Sequence, residues 1–422
     1  MNTKNIQDEE NKVWDVVIIG GGPAGMMTAG RAGERGRSVL VLEKNSIFGK
    51  KLLLTGGGRC NITNNKTNVR EMVERYKTDG KFLYSTFMQH GVTDSVIFFT
   101  SKGIALKEEN EGRLFPVSNS ATTVRDALVT YMEQSKVKVR TNCTVTAITK
   151  DQKNGLFYIS LLNTKKICAK KCVVASGGVS HPETGSTGEC FTWLSLLGHE
   201  VQKNDCALVP ISLKDTWVKK IAGLTLPDCK VTLYCDGKKQ CVQSGKVLFT
   251  HVGLSGPLVL NMSKTIGLLL TQGTVTLKLD LLPTHEIGAL RKAFRTLLTQ
   301  ESNKKIKNVL GIFIPTGMVG PLLEISGVDG ETPNHSLHTC DRAKIVTHMK
   351  GFTCTVASLL GADKAIISSG GIIPTEVNFK TMESRLVPGL YLVGDVLNID
   401  RPSGGYSLQL CWSTGFVAGS HV

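Results

Sequence analysis

Residues 14–20, WDVVIIG, form a run rich in β-branched residues with Asp15 as its one charged member, the pattern of a strand buried on both faces. A glycine-rich turn follows. The Ala- and Met-rich stretch from about Ala24 to Gly33 then predicts a helix, and residues 38–43, SVLVLE, a second buried strand. Strand, turn, helix and strand within about 30 residues make a βαβ unit, with parallel strands and a right-handed crossover. Residues 67–90 and 118–136 carry helical spacing. Residues 137–148 and 155–162 alternate like strands of an antiparallel sheet. Residues 172–175, CVVA, are another buried strand, closed by Ser176-Gly177-Gly178.

The pattern changes from about 205 to 281. VPISL, KVTLYCDGKKQCVQSGKVLFTHVG and TVTLKLDLLP alternate with a period near two, and Asp236-Gly237 is a hairpin signal. Residues 284–347 have helical spacing rich in Lys and Leu, expected to break at Pro315, Pro321 and Pro333. Strand pattern resumes at 351–357 and 364–368. GLYLVGD, 389–395, is a last buried strand, and a helix is expected over 405–419. The fold class expected is α/β: a split Rossmann-like domain with an inserted antiparallel β-barrel-like domain and a small helical subdomain. The boundaries are 14–204 with 369–422 for the first, 205–283 with 348–368 for the second, and 284–347 for the third.

The 422 residues suit two or three domains, and 41% hydrophobic with 20% charged residues is ordinary globular composition. Disordered, collagen-like and coiled-coil chains are excluded. No apolar run approaches the roughly 18 residues of a spanning helix. The polar start, MNTKNIQDEENK, lacks a signal-peptide core and reads as a frayed tail, so a cytoplasmic protein without membrane attachment is expected. The 12 Cys are scattered through apolar segments rather than framed for disulfides. Cys168 and Cys172 lack a second pair or a His at zinc spacing, so no metal is expected. The net charge of +15 fits a nucleic-acid partner or an acidic dinucleotide. The basic residues lie in small groups such as Lys165-Lys166 and Lys219-Lys220, so a small-molecule substrate and no nucleic acid are expected. Oligomeric state is not legible.

Four motifs carry chemistry. Gly20-Gly21-Gly22-Pro23-Ala24-Gly25 fits GxGxxG between a strand and a helix. Gly20 permits the tight turn, Gly22 lets the backbone approach a pyrophosphate, and Gly25 lets helix and strand pack closely. The helix opened by Pro23 and Ala24 aims free N–H groups and a positive dipole at the phosphates. Glu43 ends the next strand, where its carboxylate can accept both ribose hydroxyls and repel a 2′-phosphate; Lys44 follows it. The second motif runs from Gly49 to Asn64. Lys51, Leu52, Gly57, Gly58, Arg59, Cys60 and Asn61 lie in it, on a loop whose amides can wrap a planar ligand or its phosphates. The third, Ala175 to Glu189, puts the small residues Ser176 and Gly177 at a strand end, with His181 as a candidate facing the ligand. The fourth is Gly394-Asp395, then Arg401 to Gln409, including Gly405, Tyr406, Ser407 and Leu408. A strand ending in Gly-Asp near the C-terminus, paired with an N-terminal GxGxxG, resembles the layout of two-dinucleotide-fold flavoproteins, in which Asp395 would take a ribityl hydroxyl. The helix beginning near Gly405 would aim its N–H groups at the flavin N1/C2 edge.

These motifs resemble the BaiN-type family of NAD(P)/FAD-dependent oxidoreductases, which includes aminoacetone-oxidase-like flavoproteins. The family pattern TGGGRCNxTN is matched at Thr55–Asn64, LFTHxGxSGP at Leu248–Pro257, and TGGYNLQ at Ser403–Gln409 as SGGYSLQ. Asp395 stands where Glu is common, Ser403 and Ser407 where Thr and Asn are, and Cys411 where Ala is frequent. The likeness extends from about 14 to 419. It implies non-covalent FAD, contacted by Ala24, Glu43, Lys51, Leu52, Gly58, Asp395 and Leu408, with Val145 on the strand that holds adenine. It also suggests an NAD(P)H-driven reductase passing hydride through FAD to a small, steroid-like unsaturated substrate. A flavin-dependent amine oxidase is the rival reading, a tRNA-directed flavoprotein the third, and a sensor without turnover the last. With no second GxGxxG, NADH or NADPH would visit the flavin transiently. Catalytic residues are not readable: Tyr406, His251 and Cys60 are only candidates, and Cys60 has no CxxC partner.

Overall fold

The computed structural model describes residues 12–162, 165–361 and 367–422. The N-terminal tail and the first residues of the strand expected over 364–368 lie outside them. The chain divides into two compact units, Met1–Cys206 with Ala365–Val422, and Ala207–Lys364.

The first unit is built on the parallel core of a nine-stranded mixed sheet. The core strands are β1 (Val13–Ile19), β2 (Val39–Leu42), β3 (Lys138–Arg140), β4 (Lys166–Val174) and β5 (Leu390–Leu392), in the spatial order β5-β4-β1-β2-β3. Val16 to Ile19 and all of β2 are buried, which explains their unbroken apolar sequence. Register fixes the place of the ligand site. Ile19 pairs with Leu42 and with Val174, and Val174 pairs with Leu392. These residues form one row, so Gly20, Glu43, Ala175 and the Val393-Gly394 step all emerge from the carboxyl edge of the sheet. That edge is where open α/β sheets bind ligands.

Two expectations are corrected here. The segment 137–148 is not one antiparallel strand: β3 runs parallel to β2, and only Val145–Lys150 pairs antiparallel, with Phe157–Leu161. Residues 67–90 are not one helix either. They form Val69–Glu74, a 3-10 turn and Gly80–Gln89. The chain doubles back so tightly that a Cβ on Gly80 would lie 2.0 Å from the Val73 carbonyl.

Helix α1 (Pro23–Glu34) packs against the C-terminal helix α2 (Tyr406–His421). Small residues let the two approach. A Cβ on Gly415 would lie 2.6 Å from Ala24 O, and one on Gly419 2.7 Å from Thr28 O. His90, at the end of the Gly80–Gln89 helix, stacks on Phe416 of α2 with ring centroids 4.3 Å apart. Its Nε2 is buried without a partner, and burial holds its pKa down at about 4, with Asp94 and Arg31 as opposing charged neighbours. Folded His90 therefore stays neutral where the unfolded imidazole would protonate. Its contribution to stability is complete above about pH 6.5 and is lost as pH falls toward 4, worth at most about 3 kcal/mol. Thermal unfolding of the wild type between pH 7 and 4.5 should show this loss, and His90→Gln should flatten it.

The second unit contains a closed antiparallel barrel. Its strands, in spatial order, are Ile211–Leu213, Gly253–Ser255, Lys238–Phe249, Thr225–Cys235, Val275–Asp280 and Phe352–Leu359. Asp236 and Gly237 connect two of them, with φ of +45° and +76°, as a two-residue hairpin turn requires. Leu290, Phe294, Leu322 and Ile345 from the helices over 287–350 share one buried cluster with barrel residues Val231, Phe249 and Phe352. Pro321 does not break its helix. Thr316–Ser326 continues through it, with the proline ring buried. The missing N–H costs one bond to the Gly317 carbonyl, and burial of the ring offsets that cost.

Among the described residues, no helix is long and apolar enough to cross a membrane.

Candidate functional site

The turn after β1 is shaped by three glycines with distinct roles. Gly20 has φ of +105°, and a Cβ there would lie 2.5 Å from Ala175 O. A Cβ on Gly25 would lie 1.9 Å from Gly20 O. Both positions close the packing of turn, helix and neighbouring strand. Gly22 differs: a Cβ there would meet nothing within 4 Å. Gly22 caps α1 with extended backbone, and Pro23 and Ala24 open the helix, whose first-turn amides have no intrahelical acceptors. The result is open space in front of a helix N-terminus, the fit expected for a pyrophosphate.

Glu43 stands beside this turn, buried at the end of β2. Its Oε2 accepts from Gly21 N at 2.7 Å, and its Oε1 accepts from Asn45 N at 2.8 Å and Nδ2 at 2.7 Å. The carboxylate is thus held in place by backbone and amide donors. The Glu43 carbonyl accepts from Cys143 N at 2.9 Å, which brings the start of the Val145 strand alongside. The loop after β4 closes over Lys44 to Lys51. Lys44 Nζ donates to Thr187 Oγ1 at 2.9 Å, Asn45 Nδ2 to Thr184 O at 2.9 Å, and Lys51 Nζ to Ser180 Oγ at 3.2 Å. In the same loop Gly177 has φ of +77°, and a Cβ on it would lie 2.8 Å from Ser186 Oγ. Ser176 precedes it at the strand end. His181 turns to Glu183, with Nδ1 2.8 Å from Oε1.

The triple-glycine segment and the start of α2 form one hydrogen-bonded unit. Gly56, Gly57 and Gly58 all have positive φ. Gly57 and Gly58 are exposed and open, whereas a Cβ on Gly56 would crowd Asn61 N and the Phe115 ring at 2.9 Å. Asn61, oriented to satisfy both ends of its amide, accepts from Gly405 N at 3.0 Å and donates to Thr63 O at 3.0 Å. Asn64 Nδ2 donates to Gly404 O at 3.2 Å, Thr63 Oγ1 to Gln409 Oε1 at 2.7 Å, and Trp412 Nε1 to Ile62 O at 2.9 Å. Tyr76 OH donates to the Tyr406 carbonyl at 2.8 Å. Gly405 has φ of +100°, and a Cβ there would lie 2.4 Å from the Thr63 backbone. Segments far apart in the chain thereby hold the N-terminus of α2 at the sheet edge.

A charged group lies beside it. Asp395 follows β5 and pairs with Arg401, whose Nε also donates to Ser407 Oγ at 2.9 Å. Gly394, with φ of +67°, donates its N–H to Thr414 Oγ1 at 3.1 Å. Lys51 lies within electrostatic reach of Asp395, Cys411 and Arg401. Withdrawal from water holds its pKa below the ordinary lysine value, against the opposing pull of Asp395. Burial pushes the Cys411 thiol up to about 12.

A family model described as the HI0933-like protein Rossmann domain matches residues 14–421. The chain belongs to the HI0933-like family. Its relatives include a protein of Clostridium scindens named 3-dehydro-bile acid delta(4,6)-reductase, 30% identical and aligned over 95% of this chain and 97% of its own length. A protein of Escherichia coli named ribosomal RNA dihydrouridine synthase is 29% identical over 96% of both chains. These belong to the BaiN-type flavoproteins that the motifs resemble, and the chain is an FAD-dependent oxidoreductase. A solved structure of 3-ketosteroid delta1-dehydrogenase from Sterolibacterium denitrificans superposes with a TM-score of 0.55, covering 97% of this chain and 99% of its own, at 13% identity. That likeness is one of fold.

For this HI0933-like chain, the structure brings together Gly20, Gly22, Pro23, Ala24, Gly25, Glu43, Gly394 and Asp395 along the carboxyl edge of the sheet. Leu52 and Leu408, one in each half of this hydrogen-bonded clamp between the triple-glycine segment and α2, are buried apolar residues. Arg59 is turned to Glu109, at 2.8 Å, and lies over the Phe115 ring at 4.2 Å. Cys60 is fully buried, and burial raises its thiol to about 12, which makes it a poor thiolate nucleophile. Tyr406 is buried with its ring edge against Tyr76, and burial raises its pKa. His251 is exposed in the second unit, on a turn closed by Thr250 N donating to Gly253 O at 2.8 Å. Asn61 serves α2 directly. Thr63, Gln409 and Arg401 were not among the expected contacts. Their polar character inside the second and fourth motifs was the only signal in the sequence.

Proposed function

We propose that the chain reduces a carbon–carbon double bond conjugated to a carbonyl, with FAD as hydride carrier and NADH or NADPH as donor. The observation that carries this reading is the chemistry common to two full-length relatives' names. A 3-dehydro-delta(4,6) bile acid holds its double bonds in conjugation with the 3-oxo group. Dihydrouridine is uridine with the double bond next to its C4 carbonyl saturated. Bound FAD supplies the hydride chemistry in both directions.

The residues divide the cofactor between them. Gly20, Gly22, Ala24 and Gly25 with the α1 amides take the pyrophosphate. Glu43 takes the ribose, already oriented by Gly21 and Asn45, and the backbone at Val145 lies beside the adenine. Lys51, Leu52, Gly57, Gly58 and Asp395 line the ribityl and ring portion, and the α2 N-terminus at Gly405 to Leu408 stabilises negative charge on the ring. Ser176 and Gly177 leave room at the neighbouring strand end. Nicotinamide binds without a Rossmann turn of its own and leaves after transfer. Buried Cys60, without a paired thiol, gives no support to dithiol relay chemistry.

The substrate proposed is a small 3-oxo-4-ene of steroid type. A uridine in RNA is the second reading, favoured by the relatives named ribosomal RNA dihydrouridine synthase and by the +15 charge. Anaerobic titration of the yellow protein with NADH, then NADPH, is the test. Bleaching by one of them, followed by reoxidation with a 3-oxo-4-ene steroid, is the expected result. Reoxidation only by uridine-containing RNA, with steep salt dependence, would favour the second reading. Failure of both nucleotides to bleach the flavin, with bleaching by an amine instead, would replace the reductase with an oxidase.

A further inference from the structure

Arg401 takes no part in the division of the cofactor above, yet its side chain is 0% exposed. Each of its nitrogens has a different partner. Nε donates to Ser407 Oγ at 2.9 Å, Nη1 to Ile399 O at 2.7 Å, and Nη2 to Asp395. One guanidinium therefore ties Asp395, three residues beyond β5, to the first turn of α2. Arg401 bridges the two short side chains of Asp395 and Ser407. The planar fork suits this task; a lysine ammonium offers no such fixed geometry. Pairing with Arg401 engages one oxygen of Asp395, and a carboxylate has about four acceptor positions, so Asp395 can still accept from a ribityl hydroxyl.

Two basic side chains converge on Asp395: Arg401 pairs with it, and Lys51 lies within its electrostatic reach. Glu183, which also acts on Lys51, is half exposed and turned to His181. Tyr76 and Cys411 also feel Arg401, and burial keeps both neutral. Positive charge held in an enclosed place favours an anionic ligand.

We propose that Arg401 is a positioning residue for FAD: it fixes Asp395 and Ser407, and its charge favours the reduced over the oxidised cofactor. This rests on the FAD site described under Proposed function. Charge near the flavin ring is one of the levers by which a protein sets its electronics.

The test uses the full chain as wild type, Arg401→Met and Arg401→Lys. FAD affinity is read by titration of the apoprotein. The balance of oxidised and reduced flavin is read anaerobically against a redox dye. Arg401→Met should bind FAD at least tenfold more weakly. It should also shift the redox balance at least tenfold toward the oxidised form, about 30 mV for a two-electron couple. Arg401→Lys should restore the redox balance but not the affinity, since it returns the charge without the fork. Wild-type affinity and balance in the Met variant would overturn the inference. Should the Met variant not hold FAD, the Lys variant decides: wild-type affinity there, or a balance shifted as far as tenfold, overturns it. An effect confined to the thermal transition of the apoproteins would reduce Arg401 to a packing role and also overturn it. Wild-type protein that neither carries nor takes up FAD would instead overturn the site itself.

Discussion

Gly22→Val is expected to give a folded protein that carries no flavin. Gly22 has φ of −78° and ψ of −175°, extended backbone that any residue adopts. A Cβ at this position meets nothing within 4 Å, so the fold itself loses little more than helix-cap preference, about 1 kcal/mol or less. The methyl groups of valine would instead fill the open space in front of the α1 amides, where a pyrophosphate must come close. At least a hundredfold loss of FAD affinity is expected, about 3 kcal/mol. Gly25→Val is the control for packing. Its Cβ would lie 1.9 Å from Gly20 O, so that variant should fail to fold rather than fold colourless. The check is the flavin-to-protein ratio after reconstitution, beside circular dichroism and the thermal transition. A folded Gly22→Val protein with a full complement of FAD would remove the pyrophosphate from this turn.

The contrast between Gly22 and Gly25 shows what a sequence can disclose about such a site. The βαβ unit was legible because its apolar runs are continuous and its glycines stand at fixed offsets, and both are local properties. The Asp236-Gly237 hairpin was legible for the same reason, since positive φ at two successive residues selects those side chains. Legibility failed where tertiary contact overrides local pattern. The break between Val69–Glu74 and Gly80–Gln89 follows from a close crossing at Gly80, and the direction of β3 from its pairing with β2. Pro321 is carried through its helix because its ring is buried. Arg59 was expected among the cofactor contacts on the triple-glycine loop, and its side chain is held by Glu109 and Phe115, neither of which is near it in sequence. Arg401 and Gln409 were hidden for the same reason. Each owes its role to partners brought together only by folding.

Gln409→Ala should have the largest effect on stability of any single change at the clamp. Gln409 is fully buried in α2, and both ends of its amide are used. Oε1 accepts from Thr63 Oγ1 at 2.7 Å; Nε2 donates to Gly91 O at 3.1 Å, and to Ser95 Oγ and Ser413 Oγ at 2.9 Å each. Truncation would strand the Thr63 hydroxyl in an apolar interior and leave a cavity besides, while the Gly91 carbonyl keeps Ser95 N and Oγ as donors. A stranded buried group costs about 1–3 kcal/mol and the cavity adds to it, so a loss of about 2–4 kcal/mol is expected. Native-state hydrogen exchange at the α2 amides reads this local loss directly. Gln409→Met, which nearly preserves volume, separates the cavity from the hydrogen bonds, and should recover less than half of the loss. Thr63→Val combined with Gln409→Ala should cost less than the sum of the two single changes, because the hydroxyl stranded by one is removed by the other. The clamp also holds Gly405 at the head of α2, so FAD affinity should fall about tenfold in Gln409→Ala while the barrel in the second unit exchanges as in the wild type. A change of less than 1 kcal/mol at α2 would mean that the polar clamp is incidental, and that packing of Gly415 and Gly419 against α1 alone holds the helix in place.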